Sequence, residues 1–200
     1  MKYEKTIEAL QKNGYKVSFF KNSKDAIEYI VENVKGVKIG FGDSLTLSEL
    51  NLADHLSKYN YVIDPSKFSG DEFFKIAKET LLTDVYFTSV NAVAETGELV
   101  NIDDAGNRIA GSLFGHKKVF FIFGANKIEP NLEKAIWRAR NIAAPKNAKR
   151  LGIKTPCAIK GDKCYNCSSP ERICNALNIY FKKMDGVESE IIIIDENLGM

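Results

Sequence analysis

The sequence predicts an α/β protein built on a parallel β-sheet that is covered on both faces. Strand-sized apolar runs alternate with amphipathic stretches along most of the 200 residues, which is the signature of βα units. Runs such as Val119 to Phe123 and Ile191 to Ile194 are apolar throughout, as strands buried on both faces are. With 44% hydrophobic and 27% charged residues, the composition suits one packed domain and excludes disorder and low-complexity repeats.

Residues 1 to 13 read as a charged amphipathic helix and Tyr15 to Phe20 as an extended segment. Ser23 to Val34 follows as a helix with Ile27, Ile30, Val31 and Val34 on one face. Val37 to Phe41 is a buried strand leading into Gly42-Asp43-Ser44, where a helix from about Leu45 to Lys58 opens, its Leu47, Leu50, Leu52 and Leu56 directed to the core. Tyr61 to Asp64 reads as a strand, Gly70 to Leu81 as a helix with Phe73, Phe74 and Ala77 inward, and Val85 to Thr88 as a strand. The alternation then breaks. Glu98 to Ile102 and Arg108 to Ala110 leave no room for a helix, and Asp103 to Asn107 between them carries tight-turn chemistry, so an inserted β-hairpin is expected. Lys118 to Phe123 resumes the sheet, Pro130 to Ile142 is a helix with proline in its first turn, and Pro145 to Leu151 is a short one. Pro170 to Phe181 reads as a helix and Glu190 to Ile194 as the last strand. Residues 1–200 are expected to form a single domain, with a small cysteine lobe at about 152 to 175.

The formal charge of +2 gives no reason to expect nucleic-acid or membrane partners. It averages two unlike regions, because Arg138 to Lys163 holds eight bases and one acid. No secretory signal opens the chain, and the longest apolar runs are far short of the ~20 residues that span a bilayer. A cytoplasmic location is expected.

Four cysteines, Cys157, Cys164, Cys167 and Cys174, fall within TPCAIKGDKCYNCSSPERICN, with C-x-x-C at the centre. In a cytosolic chain such a group points to metal or redox chemistry more than to disulfides. Four thiolates suit either a [4Fe-4S] cluster or a tetrahedral Zn ion, and spacing alone does not choose between them. The surrounding bases would offset the charge of such a centre.

Lys38 to Thr46, KIGFGDSLT, is a strand, a glycine-rich turn and a helix start. Gly40, Gly42, Asp43, Ser44 and Thr46 are candidates to hold a phosphate or carboxylate there, although Asp43 or Ser44 also suits a plain N-cap role. Ser89, Asn91 and Glu95 follow another strand, at the carboxyl edge where open α/β folds bind ligands. Glu95 is the candidate nucleophile or general base. His55 and His116 have no partner at a recognisable spacing and read as structural. The loop lacks a full G-x-G-x-x-G, so neither NAD nor flavin is expected.

Together, GFGDSLTLSEL, TSVNAVAETGELVNIDDAGNR, KKVFFIFGANKIEPNLEKAIWRARNIAAPKNAKRLG and the cysteine segment resemble the LUD-domain family of lactate-utilisation proteins, in a cysteine-bearing form. The resemblance implies a three-layer α/β fold similar to the ribose-5-phosphate isomerase and CoA-transferase group. In those relatives the first glycine-rich loop holds an anion, and the CoA transferases use a glutamate nucleophile whose nearest counterpart is Glu95. It also implies action beside iron-sulfur partner subunits in oxidising L-lactate to pyruvate. Many members lack the cysteine segment, which makes it an added electron-transfer site or an added clip.

Three functions follow as expectations. The first is a component of L-lactate or 2-hydroxy-acid oxidation that binds a small carboxylate or phosphorylated substrate and carries [4Fe-4S] on the four cysteines. The second is an acyl- or CoA-handling enzyme with Glu95 as nucleophile and structural zinc. The third is a small-molecule-binding regulatory module. Homo-oligomerisation is compatible with each.

Overall fold

The computed structural model describes residues 3–200. In chain order it has α1 (Glu4–Lys12), β1 (Lys16–Phe20), α2 (Ser23–Asn33), β2 (Lys38–Phe41), α3 (Leu45–Glu49), α4 (Leu52–Ser57), β3 (Tyr61–Ile63), α5 (Gly70–Thr80), β4 (Val85–Thr88), β5 (Ala92–Ala94) and β6 (Leu99–Asp103). There follow α6 (Asn107–Leu113), β7 (Lys118–Gly124), β8 (Ile128–Glu129), α7 (Leu132–Arg138), α8 (Ala144–Arg150), α9 (Pro156–Lys160), β9 (Ala176–Tyr180) and β10 (Glu188–Ile194). The first two residues of the helix expected at the start lie outside the described residues.

Six strands pair in parallel in the order β1-β10-β7-β4-β2-β3. The central strands bury side chains on both faces. Phe120 and Ile122 of β7 and Ile192 and Ile194 of β10 pack with α2, α3 and α4. Their neighbours Phe121, Phe123, Ile191 and Ile193 pack on the opposite side with Leu10 of α1 and with Val93, Leu99 and Tyr180 of a second sheet. Continuous apolar sequence is therefore required, as expected for a covered parallel sheet. Phe41, Phe87 and Phe120 stack across β2, β4 and β7 with ring centroids 5.4 and 4.6 Å apart.

The second sheet, β8-β5-β6-β9, lies on that opposite side. Its Ala92, Ala94, Val100 and Ile102 pack against Ala135 and Ala139. A hairpin is present, but its position differs from the expected one. The turn is Glu95 to Glu98, with Gly97 at φ 100°, joining β5 to β6. Arg108 to Ala110 is helical because the Asp103 carboxylate accepts the free N–H groups of Arg108 and Ile109, at 3.1 and 3.2 Å, and so starts α6.

Further departures have local causes. The helix expected over residues 45 to 58 is broken at Asn51, whose φ of 48° is left-handed. Leu47 and Leu50 fit one helical face and Leu52 and Leu56 another, so a single 3.6-residue period cannot bury all four. The helix expected from Pro130 starts after Asn131, whose side-chain Oδ1 accepts from the Lys134 N–H at 2.9 Å, with Pro130 ahead of the cap. It then runs through a π-helical stretch, Ala139–Ala143, into α8, where Pro145 lacks the N–H that a regular α-ladder needs. Pro170 to Phe181 forms no helix. Ala176–Tyr180 instead pairs antiparallel with β6, which places Tyr180 in the core with its hydroxyl 2.6 Å from that of Ser112. Phe74 is 51% exposed, not inward. Among the described residues, no helix is long and apolar enough to cross a membrane.

Candidate functional site

β7, β4 and β2 are adjacent in the sheet, and ligands in open parallel sheets bind beyond the carboxyl ends of the strands. Past these ends lies a cleft of about 310 Å³. Asp43, Ser44 and Thr46 enter it after β2, Ser89 and Asn91 after β4, and Lys127 after β7. Asp103 and Arg108 reach it from β6 and α6, and Asn147 and Arg150 from α8.

Lys127 is the central group. It is 4% exposed, and its Nζ donates to Thr46 Oγ1 at 2.8 Å and Ser89 Oγ at 3.1 Å. Burial, with the nearby Arg138 and Arg108 charges, pushes its pKa from 10.5 down to about 7, against a weaker opposite pull from Glu49. A lysine whose hydrogen-bond partners are both hydroxyls gains no compensating negative charge from them. The turn that carries it is held by Asn126, whose Oδ1 accepts from the Leu198 N–H at 3.2 Å. Buried Arg138 ties the neighbouring segments together, donating to the main-chain oxygens of Asn91 at 2.6 Å, Met200 at 3.0 Å and Asn126 at 3.2 Å.

Three cationic side chains, Arg108, Lys127 and Arg150, face three carboxylates, Asp43, Asp103 and Asp104, in this cleft. Asp103 is paired with Arg108, Nε to Oδ1 at 2.9 Å, and its other oxygen caps α6. The Arg150 guanidinium is oriented by Asn147 Oδ1, which accepts at 3.0 and 2.9 Å. Asp43 stands at the mouth. Its partly desolvated carboxyl is raised in pKa, while Arg108 and Arg150 pull it back down.

Of the residues predicted to bind an anion, Asp43, Ser44, Thr46 and Asn91 line this cleft. Asn91 also has a structural duty, since its Oδ1 accepts from the Ile102 N–H at 2.7 Å. Gly40 and Gly42 are outside the lining and serve packing instead. A Cβ at Gly40 would lie 2.7 Å from the Thr80 carbonyl oxygen, and one at Gly42 would lie 2.6 Å from the Tyr86 hydroxyl. Ser44 holds the N-cap position of α3 without a side-chain cap bond. With α3 only five residues long, attraction for an anion falls to side chains and not to a helix end. Glu95 is in the hairpin turn outside the cleft lining, 38% exposed at its side chain, and pairs with Lys5 at 3.0 Å. His116 is buried, with Nδ1 2.8 Å from the Thr83 carbonyl oxygen and its ring stacked on Tyr86.

The cysteine segment carries α9 and little other regular structure. All four thiols are free and partly buried. Cys164 and Cys174 line a shared pocket with Arg140 and Arg172. Arg172 Nε donates to Cys174 Sγ at 3.2 Å, the Asn166 N–H to Cys164 Sγ at 3.3 Å, and Cys157 Sγ lies 3.3 Å from Thr155 Oγ1. Among the described residues, no three Cys, His, Asp or Glu side chains gather into a group able to hold a metal ion.

A model of the LUD domain matches residues 3–194. The chain belongs to the LUD-domain family. No curated protein matches it. A crystal structure of a DUF162 family protein from Deinococcus radiodurans is similar to this LUD domain with a TM-score of 0.53 and 9% identity, over 95% of this chain and 94% of that one; the likeness is one of fold. Ribose 5-phosphate isomerase A from Neisseria gonorrhoeae matches with a TM-score of 0.36 and 21% identity over 55% of this chain and 54% of that one.

Sequence reasoning missed Lys127, Arg108 and Arg150 in this LUD domain. The rule that pointed to residues 43–46 and 89–91, namely proximity to the carboxyl end of a parallel strand, applies equally to Lys127, three residues after β7. Arg108 and Arg150 had no comparable signal, because the helices that carry them meet the sheet edge only in the folded chain.

Proposed function

We propose that this LUD domain is a component of L-lactate or 2-hydroxy-acid oxidation that binds the small acid, or the corresponding 2-oxo acid, in the cleft beyond β2, β4 and β7. The observation that carries the reading is the convergence of Arg108, Arg150 and buried Lys127 on one cleft, where two of the three carboxylates are already held, Asp103 by Arg108 and α6 and Asp104 by Asn175. A carboxylate entering it gains charge-assisted hydrogen bonds from guanidinium groups. The hydroxyls of Ser44, Thr46 and Ser89 are of a size and polarity to meet a 2-hydroxyl or 2-oxo group.

The electron acceptor in this reading is an iron-sulfur partner subunit or a [4Fe-4S] cluster on Cys157, Cys164, Cys167 and Cys174, with zinc as the structural alternative. The position of the thiols supports no particular route, so no step passes through them. Iron and zinc content and visible absorbance of anaerobically purified protein separate the two metals.

Calorimetric titration with L-lactate, pyruvate and the neutral analogue lactamide tests the acid site. The acids are expected to bind and lactamide not to. Arg150→Ala, at an exposed position, is expected to weaken acid binding about 10- to 100-fold, the loss of one charge-assisted contact. Equal affinity for lactate and lactamide would refute the reading.

A further inference from the structure

Lys127 differs from the other cations of the cleft in ways that bear on reactivity. Its Nζ is buried, is held from two sides by hydroxyls, and borders the same cleft as Arg108 and Arg150. A neutral amine has two N–H bonds and one lone pair. The contacts to Thr46 Oγ1 at 2.8 Å and Ser89 Oγ at 3.1 Å accept both N–H bonds, so the lone pair is left without a proton to hold. An ammonium in the same place would have a third N–H to satisfy.

We propose that Lys127 Nζ is a nucleophile that forms an imine with the carbonyl carbon of a small 2-oxo acid bound in the cleft. The proposal rests on the acid-binding reading above and adds a covalent step to it. The Nζ lone pair forms the C–N bond at C2 while the carbonyl π bond breaks onto oxygen. One proton from Nζ and one from solvent turn that oxygen into the departing water, and the C=N bond closes. No electrons are gained or lost, and water is the only by-product. The acid's carboxylate, placed towards Arg108 and Arg150, balances the positive charge when the imine is protonated.

Two features supply what this chemistry needs. The amine must be free base at working pH, and with a pKa of about 7 roughly half of it is so at neutral pH, against about one part in 3,000 for an ordinary lysine. A proton donor must also stand beside the carbonyl oxygen, and the Thr46 and Ser89 hydroxyls already touch Nζ. L-lactate, with no carbonyl, fits the same site and cannot form the bond.

The test uses the full-length protein without substitution. Pyruvate and sodium borohydride are added together, the reduced adduct is located by peptide mass spectrometry, and binding of pyruvate and L-lactate is measured by calorimetry on the same preparation. The expected result is labelling at Lys127 at least about tenfold above surface lysines, as the free-base fractions imply, suppressed by excess L-lactate and rising with pH through about 7. Labelling spread evenly over surface lysines, or none at Lys127, overturns the nucleophile. If both acids nevertheless bind, the acid site stands and only the covalent step falls; if neither binds, both fall.

Discussion

The substitution Lys127→Met makes the burial of this amine measurable as stability. The unfolded chain holds the Lys127 proton with the ordinary value of 10.5 and the folded protein with about 7. Because the unfolded state binds the proton more tightly, protonation favours unfolding. The penalty is complete below about 7, shrinks as pH rises, and is gone above about 10.5. At ~1.4 kcal/mol per unit of pKa, the full penalty is ~5 kcal/mol, of which 3 to 4 kcal/mol is relieved, as an approximate figure, between pH 7 and 10. Methionine keeps most of the buried methylenes and gives up two hydrogen bonds to hydroxyls, a loss of about 1 kcal/mol each that does not vary with pH. Urea unfolding of both proteins from pH 6 to 10 is the assay, and subtracting the curves removes the titration of all other groups. The variant is expected to be more stable than the wild type at pH 6, and the advantage should close or reverse by pH 10. Parallel curves, with no change in the difference across that range, would show that Lys127 titrates as a solvated lysine and would remove the physical basis for its reactivity.

Two further substitutions test the parallel sheet that supports the cleft. Glu190 is 1% exposed at its side chain and accepts from Tyr29 at 2.7 Å, Ser18 at 3.0 Å, Lys118 at 2.8 Å and Lys16 at 3.1 Å. Burial alone would raise its pKa, but the hydrogen bonds from Lys118 and Tyr29 outweigh it and hold the carboxyl below the ordinary value. Its contribution is therefore present above the unfolded value of 4.5 and lost as pH falls through the lower folded value. Glu190→Gln is expected to cost about 1–3 kcal/mol at neutral pH, since both lysines keep partial access to water, with the deficit shrinking below pH ~4.5 in denaturant titrations. Gly42→Ala places a methyl 2.6 Å from the Tyr86 hydroxyl and is expected to destabilise by about 1–3 kcal/mol through overpacking. Combining it with Tyr86→Phe should recover part of that loss; a double variant no more stable than the sum of the single ones would show that the glycine is needed for its backbone and not for space.

The sheet was legible because burial on both faces leaves Val119 to Phe123 of β7 and Ile191 to Ile194 of β10 apolar throughout, the pattern of covered parallel strands. The elements that were misread all depend on pairing across long separations. ALNIY, residues 176 to 180, follows a stretch with helical spacing, and only the free edge of β6, more than seventy residues earlier in the chain, makes a strand of it. The hairpin turn was placed at the residues with the strongest turn chemistry, Asp103 to Asn107, yet Asp103 uses that chemistry to start a helix, and Gly97 provides the turn.

The same reasoning divides the candidate site. Asp43, Ser44, Thr46 and Asn91 were visible because each stands beside a strand end whose neighbours in sequence announce it. Lys127 was hidden by what makes it reactive. Its charge, read along the chain, marks a solvated side chain, and its burial exists only because β4 is placed between β7 and β2 and brings Ser89 and Thr46 to its amine. A lysine held in this way is costly to the fold at neutral pH, by the same few kcal/mol that Lys127→Met should restore, and a buried cation without a carboxylate partner offers stability nothing in return. The cost is accounted for if the cleft regularly receives an anion, because a bound carboxylate supplies the charge that the protein withholds. Stabilisation of the wild type by pyruvate or lactate should accordingly grow as pH falls towards 6, where Lys127 is most often protonated and most lacks a partner.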